Sequence, residues 1–235
     1  MNIVITGASS GIGFELAKRF ASIGNHTILA LARNEGKLKE LKSACIKENI
    51  EAHLYPILFD ITAPEPFEEK LAEMVRQYIP TVDILVNNAG YLVNSPFESL
   101  SATDLDAMTR VNFTGPARII KSLIPLLSAN AHVINISSMG GFQGSVKFSG
   151  LSVYSATKAA IASLTECLAE EYKEKGISFN CLALGAVQTE MLAKAFPEFK
   201  APLMPNEMAE FIADFALKGN RFFNGKVIPV SLTTP

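Results

Sequence analysis

The chain alternates between two hydrophobic periodicities. Short, nearly continuous apolar runs occupy Ile3–Thr6, Thr27–Ala32, His53–Phe59, Asp83–Val86, His132–Ile136, Ser178–Leu184 and Lys226–Val230. Between them lie amphipathic stretches at Ile12–Ile23, Glu35–Glu48, Phe67–Tyr78, Ala102–Ser128, Val153–Glu174 and Asn206–Leu217. A run that is apolar at every position suits a strand buried on both faces, and the amphipathic stretches suit the helices that bury it. The pattern predicts an α/β fold: about seven parallel strands, helices on both faces, three layers, one domain over residues 1–235. No repeat, low-complexity tract or linker interrupts it.

Composition acts mainly by exclusion. Hydrophobic residues make up 49% and charged residues 19%, enough for a large core and unlike a disordered chain. A net charge of −2 gives no electrostatic grip on nucleic acid or an anionic membrane. No apolar run is long enough to cross a bilayer, and Met1-Asn2 leads into the first strand without the basic stretch of a signal peptide. Cys45, Cys167 and Cys181 stand at unrelated spacings, which predicts free thiols and no metal site. His26, His53 and His132 are isolated and read as structural or surface residues. A cytoplasmic protein is the expectation.

Candidate chemistry begins at "VITGASSGIG", where a strand runs into a glycine-rich turn and a helix. In a parallel α/β sheet, ligands bind beyond the carboxyl ends of the strands, and a helix N-terminus there attracts phosphate. Gly7, Gly11 and Gly13 would clear the approach, while Ser9 and Ser10 can add hydroxyl donors. Alone, such a turn also fits simple packing of a helix on a strand. The second strand ends in Ala32-Arg33, with no carboxylate to hold a free ribose 2′-hydroxyl. A guanidinium there suits a 2′-phosphate, so Arg33 favours NADP(H) over NAD(H), unless it is only a solvated loop charge.

Tyr154 and Lys158, in "SVYSATKAA", are four apart and share one helix face. A nearby ammonium would pull a phenol down from its usual pKa near ~10 and suit it to proton transfer. "HVINISSMGG" is a strand ending in Ser137-Ser138, and "DILVNNAG" is another ending in Asn88-Ala89-Gly90. Asn112 lies inside a predicted long helix, where asparagine is unfavoured without a special partner.

These pieces, with Asp60 and "GAVQT" at Gly185–Thr189, occur in the order found in the classical short-chain dehydrogenase/reductase family, which the chain resembles along nearly its whole length. The resemblance implies a three-layer Rossmann fold and a hydride-transferring oxidoreductase that interconverts a carbonyl and a secondary alcohol. Tyr154 would be the general acid or base. Lys158 would lower its pKa and bind the nicotinamide ribose, and Ser138 would position the substrate oxygen. Asn112 would hold a water linking Lys158 to solvent. Gly7, Ser9, Ser10, Gly11, Ile12, Gly13, Arg33, Asp60, Ile61, Asn88, Ala89, Gly90, Gly185, Val187 and Thr189 would bind the cofactor together with Tyr154 and Lys158.

Three departures from the family pattern matter. Ser138 and Tyr154 stand 16 apart, a longer gap than usual, which leaves the serine role open between Ser137 and Ser138, with Ser138 favoured by its place in the motif. Leu184 replaces the usual proline before Gly185. The segment after Thr189, about 190–204, predicts a short substrate lid and an open site, or one closed by a partner subunit. Met139, Met191, Phe142, Phe148, Leu92 and Val93 are candidate substrate-pocket residues. The tail "KVIPVSLTTP" lacks the family's diglycine ending, so a homodimer through Ala102–Ser128 and Ser152–Glu174, using Ala156, Ala159, Ala160 and Ala162, is as plausible as a homotetramer. A small-molecule carbonyl or alcohol is the expected partner. The competing reading is a cofactor-binding regulator without turnover.

Overall fold

A computed structural model describes residues 1–232; the last three residues of the tail lie outside the described residues. Seven strands form one sheet: β1 (Asn2–Thr6), β2 (Thr27–Ala32), β3 (His53–Leu58), β4 (Val82–Asn87), β5 (Leu127–Ser138), β6 (Ser178–Leu184) and β7 (Lys226–Val230). All pair in parallel, in the order β3-β2-β1-β4-β5-β6-β7. The expected α/β architecture is therefore present.

The continuous apolar strands feed two cores at once. On β1, Ile3 and Ile5 face one layer and Val4 the other; on β2, Ile28 and Ala30 oppose Leu29 and Leu31. The first layer comprises α1 (Gly11–Ile23), α2 (Glu35–Glu48) and α8 (Pro205–Lys218), through Leu16, Phe20, Leu41 and Ile212. The second includes α3 (Phe67–Arg76), α5 (Gly115–Leu123) and α6 (Ser152–Glu171), through Phe67, Leu71, Ile119 and Ala169. Local signals set the starts. Asn34 accepts from the Lys37 N–H to cap α2. Ser101 and Asp104 form a reciprocal capping box on α4 (Ala102–Thr109).

The stretch Ala102–Ser128 is not one helix. It divides into α4, a π turn at Arg110–Thr114, α5 and a 3-10 turn at Ile124–Leu126, and β5 already begins at Leu127. Pro116 has no N–H to offer the carbonyl four residues back, and the Gly115 N–H instead reaches the Arg110 carbonyl, one residue further than in an α-helix. A further helix that the hydrophobic pattern does not predict, α7 (Glu190–Ala195), follows Thr189, whose hydroxyl accepts from the Leu192 N–H.

Among the described residues, no helix is long and apolar enough to cross a membrane, and no group of His, Cys, Asp and Glu could hold a metal ion. The three cysteines are free.

A buried polar knot ties the α8–β7 end of the chain to the sheet. His132 on β5 donates through Nδ1 to the Ala216 carbonyl at 3.0 Å and accepts at Nε2 from Asn180 at 3.0 Å. Asn180 also donates to the Phe223 carbonyl and accepts from the Lys226 N–H. Burial holds His132 neutral and pushes its pKa down to about 4. Folded His132 thus resists a proton that the unfolded chain takes up near pH 6.5, so its contribution is present above that pH and is lost as pH falls toward about 4. Denaturant unfolding at a series of pH values should show stability dropping across that window, by up to roughly 3 kcal/mol from this group.

Candidate active site

Strand order reverses between β1 and β4, and the carboxyl ends there open into a cavity of about 1140 Å³. Its half beyond β1, β2 and β3 is lined by Gly7, Ser9, Ser10, Gly11, Ile12, Arg33, Asp60 and Ile61. Asn88, Ala89 and Gly90 line the middle. Ser138, Tyr154, Lys158, Gly185, Val187 and Thr189 line the remainder. Two predicted residues, Gly13 and Asn112, are absent from the wall.

The glycine turn is shaped by a clasp. The Thr6 hydroxyl accepts from the N–H groups of Asn88 and Ala89, at 3.1 and 3.2 Å. The Asn88 amide donates back to the Thr6 and Gly7 carbonyls, at 3.1 and 3.2 Å. Gly7 has φ +68°, and a Cβ there would come within 2.7 Å of Ala89 Cα. Gly13 serves this packing rather than the ligand: it is buried, and a side chain on it would overlap the Asn88 amide and the Gly7 carbonyl. The clasp leaves the start of α1 free. Ser10 makes no side-chain cap, and the first turn carries no acid. Its N–H groups and the positive end of the helix dipole therefore face the cavity, an arrangement that fits a pyrophosphate.

Arg33, at the end of β2, is exposed and has no hydrogen-bond or ion-pair partner among the described residues. Asp60 is fixed by Thr62, whose N–H and hydroxyl both donate to its Oδ1 at 2.8 Å. From α2, Lys37 reaches over to Glu190 at the start of α7, at 2.9 Å.

At the other half, strand alternation separates the two serines. The Ser137 hydroxyl is buried and donates to the Lys158 carbonyl at 2.7 Å, fastening α6 to β5. Ser138 accepts from the Gly140 N–H and stands beside Tyr154, whose acidity it favours. Lys158 donates to the Ile136 carbonyl at 2.8 Å, with its Nζ 5.9 Å from the Tyr154 ring centre. Both side chains are buried, and burial dominates their acidity. It pushes Tyr154 up to about 12, only partly offset by Ser138, and Lys158 down to about 8. For Tyr154 the loss of water dominates and Ser138 is the one opposing influence.

Asn112 sits in the π turn, fully buried. Its Oδ1 accepts from the Tyr91 N–H at 2.8 Å, and its Nδ2 donates to the Tyr91 carbonyl and to Thr157. It shapes the wall from behind, because the π turn aims its amide at the loop after β4. Gly90 keeps side-chain atoms out of the space between: a Cβ there would lie 3.6 Å from Lys158 Nζ and 3.7 Å from Asn112 Oδ1.

Segment 190–204 folds onto its own chain. Val187 bridges to Leu203, the Gln188 side chain accepts from the Ala201 N–H, and Asn94 donates to the Ala195 carbonyl at 2.9 Å. These bonds, with Lys37–Glu190, hold the segment against the cavity within one chain. Of the candidate pocket residues, Met139, Met191, Phe148 and Leu92 line the cavity, whereas Phe142 and Val93 do not. Phe196 and Phe199 line it as well; in the sequence they are two among many apolar residues of the segment after Thr189. Asn94 and the role of Thr6 carried no sequence signal beyond their position at strand ends and loops.

The clasp yields a prediction. Thr6→Val keeps the shape and removes the acceptor for two N–H groups, which should cost about 1–3 kcal/mol in denaturant unfolding and weaken dinucleotide binding measured by calorimetry. An unchanged affinity and stability would mean that the clasp does not set the turn.

The family model described as short chain dehydrogenase matches residues 1–199. A fatty acyl-CoA reductase of Acinetobacter baylyi is 32% identical over 216 residues, covering 89% of this chain and 70% of that protein. An uncharacterized oxidoreductase of Staphylococcus aureus is 30% identical over 229 residues, covering 97% of this chain and 95% of that one. Among solved structures, a putative short chain dehydrogenase from Escherichia coli CFT073 complexed with NADPH superposes with a TM-score of 0.89 at 27% identity, covering 97% of this chain and 95% of that one. The protein thus belongs to the short-chain dehydrogenases, a family of NAD(P)-using oxidoreductases.

Proposed function

We propose that the protein is an NADP(H)-dependent oxidoreductase that interconverts a carbonyl and a secondary alcohol, with Tyr154 as the proton-transfer group. The observation that carries this reading is the buried Tyr154–Ser138 pair, one helical turn from Lys158, facing the same cavity as the uncapped start of α1.

When bound, a nicotinamide dinucleotide supplies the hydride. The first-turn N–H groups of α1, with Ser9 and Ser10, would take its pyrophosphate. Arg33 would take the 2′-phosphate, which its unpaired guanidinium and the NADPH bound to the Escherichia coli relative both support. Asp60 and Ile61 would meet the adenine, Asn88 to Gly90 the adenosine ribose, and Gly185, Val187 and Thr189 the nicotinamide side. Ser138 and Tyr154 would hold the carbonyl oxygen. A phenol near pKa 12 keeps its proton at neutral pH and can pass it to the alkoxide that develops as the carbonyl is reduced. The Lys158 ammonium stabilises the phenolate left behind. Gly90 keeps open the approach by which solvent protons would reach Lys158, with Asn112 holding the loop that forms it. Segment 190–204 is the short lid. The exposed faces of α4 and α6 around Ala156 and Ala160, where a shallow groove is lined by Phe97 and Phe113, are the proposed homodimer surface; Ala162 is buried inside its own subunit.

Tyr154→Phe should lower kcat/KM for ketone reduction by about 10²- to 10⁴-fold while NADPH binding persists. NADPH binding without turnover in the wild type, on a broad carbonyl panel, would favour the regulator reading instead. Arg33→Ala should weaken NADPH binding about 10- to 100-fold and leave NADH binding nearly unchanged, as read by fluorescence titration.

The pH profile follows from the two acidities. Reduction needs Tyr154 protonated, which a pKa near 12 secures, and Lys158 charged, which holds below about 8. Steady-state kcat/KM for reduction should stay level through neutral pH and fall as pH rises through about 8. A profile rising through that region would contradict these roles.

A further inference from the structure

Beyond β4, the cavity changes character. The charged side chains on its wall, Arg33, Glu35, Asp60 and Glu190, stand at the β1–β3 half or at the start of α7; only Lys158 lies deep in the other. That half is walled by Leu92, Met139, Phe148, Leu151, Phe196 and Phe199. Its nearby polar side chains are mostly occupied: Ser137 by the Lys158 carbonyl, Lys158 by the Ile136 carbonyl, Gln188 by the Ala201 N–H and Asn94 by the Ala195 carbonyl. Ser231 is packed on Gly185 at the end of β6. Thr189 accepts from the Leu192 N–H, and Ser138 accepts from the Gly140 N–H but keeps its hydroxyl proton; that proton and the Tyr154 hydroxyl are enough for one oxygen atom.

The walls are also braced. The Ser95 N–H donates to the Gly150 carbonyl at 3.0 Å, and Gly150 lies so close to Asn94 that any side chain on it would overlap the Asn94 amide. Asn94 in turn holds Ala195, next to Phe196. The loop after β4, the excursion at 142–151 and the lid segment are thus joined around one mouth. At that mouth two rings stay half in water, Phe148 at 45% and Phe199 at 48% exposure. A pocket preformed in this way selects by what its walls can solvate. A sugar or a carboxylate would leave polar groups without partners, whereas a hydrocarbon chain would cover the apolar walls and the two rings.

We infer that this half of the site takes a carbonyl compound with a single polar oxygen and a hydrocarbon chain, the oxygen on Ser138 and Tyr154 and the chain leaving between Phe148 and Phe199. The inference rests on the reductase reading for its chemistry, and it adds the substrate class. The reaction balances as hydride from the reduced cofactor to the carbonyl carbon and a proton from Tyr154 to the oxygen, giving a secondary alcohol and oxidised cofactor.

The test uses the full chain with NADPH and the methyl ketones butanone, hexanone and octanone, with glyceraldehyde and oxobutanoate as polar comparators. kcat/KM should rise about two- to fourfold per added methylene and exceed that for either comparator. Phe148→Ser and Phe199→Ser, both at half-exposed positions, should lose more on octanone than on butanone and flatten the series. Binding of the same ketones to protein loaded with NADP⁺, which cannot reduce them, is measured in parallel by calorimetry. A flat or reversed series, or preference for a polar comparator, overturns the substrate class while turnover lost in Tyr154→Phe upholds the reductase reading. Chain-length-dependent binding with no turnover upholds the substrate class and overturns the reductase reading. Neither turnover nor chain-length-dependent binding overturns both.

Discussion

The site depends on the clasp between the ends of β1 and β4. Where strand order reverses, two neighbouring strands send their connections to opposite faces of the sheet, and the backbone groups at their ends lose ladder partners. Thr6 and Asn88 supply the missing partners to each other's strands through four hydrogen bonds. Because those side chains are engaged in the clasp, the turn can pass over them on bare backbone. Gly7 and Gly13 are needed by the closeness of that packing. The free N–H groups of α1 are its consequence, since they are the donors that the clasp does not use.

The opposite wall follows another constraint, the cost of burying ionisable groups. Tyr154 and Lys158 are both enclosed, and enclosure favours their neutral forms. Ser137 pins α6 to β5, so that Tyr154 stands beside Ser138 and Lys158 can reach the Ile136 carbonyl. The rigid pieces are strand and helix, and Ser138, Tyr154 and Lys158 stand on them. The loops that close the mouth are fixed separately, through Asn94 and Gly150.

The π turn links these two regions. Widening the helix by one residue at Arg110–Thr114 turns the Asn112 amide inward, where it bonds both Tyr91 backbone groups and Thr157. It thereby joins the loop after β4 to α6, and with them the glycine-turn half and the Tyr154 half of the cavity. The cause is local, a proline directly after glycine, and the consequence is tertiary.

The sequence by itself determined the layers. Strands apolar at every position can only be buried on both faces, so Ile3, Val4 and Ile5 already implied a parallel sheet between helices. It also determined the ordered motifs from Thr6-Gly7 to Lys158, because those residue types, by a polar group or by a bare backbone, suit particular chemistry wherever they stand. Tertiary structure decided how they share the work. Gly13 went to packing, Asn112 behind the wall and Ser137 to holding a helix, since each role depends on which atom lies opposite across the fold. It also decided the acidities, because spacing of four along a helix places an ammonium near a phenol but carries no information about how much water surrounds the pair. The mouth was least legible of all: Asn94, Phe196 and Phe199 belong to loops distant in sequence, and only their approach in space makes them one wall.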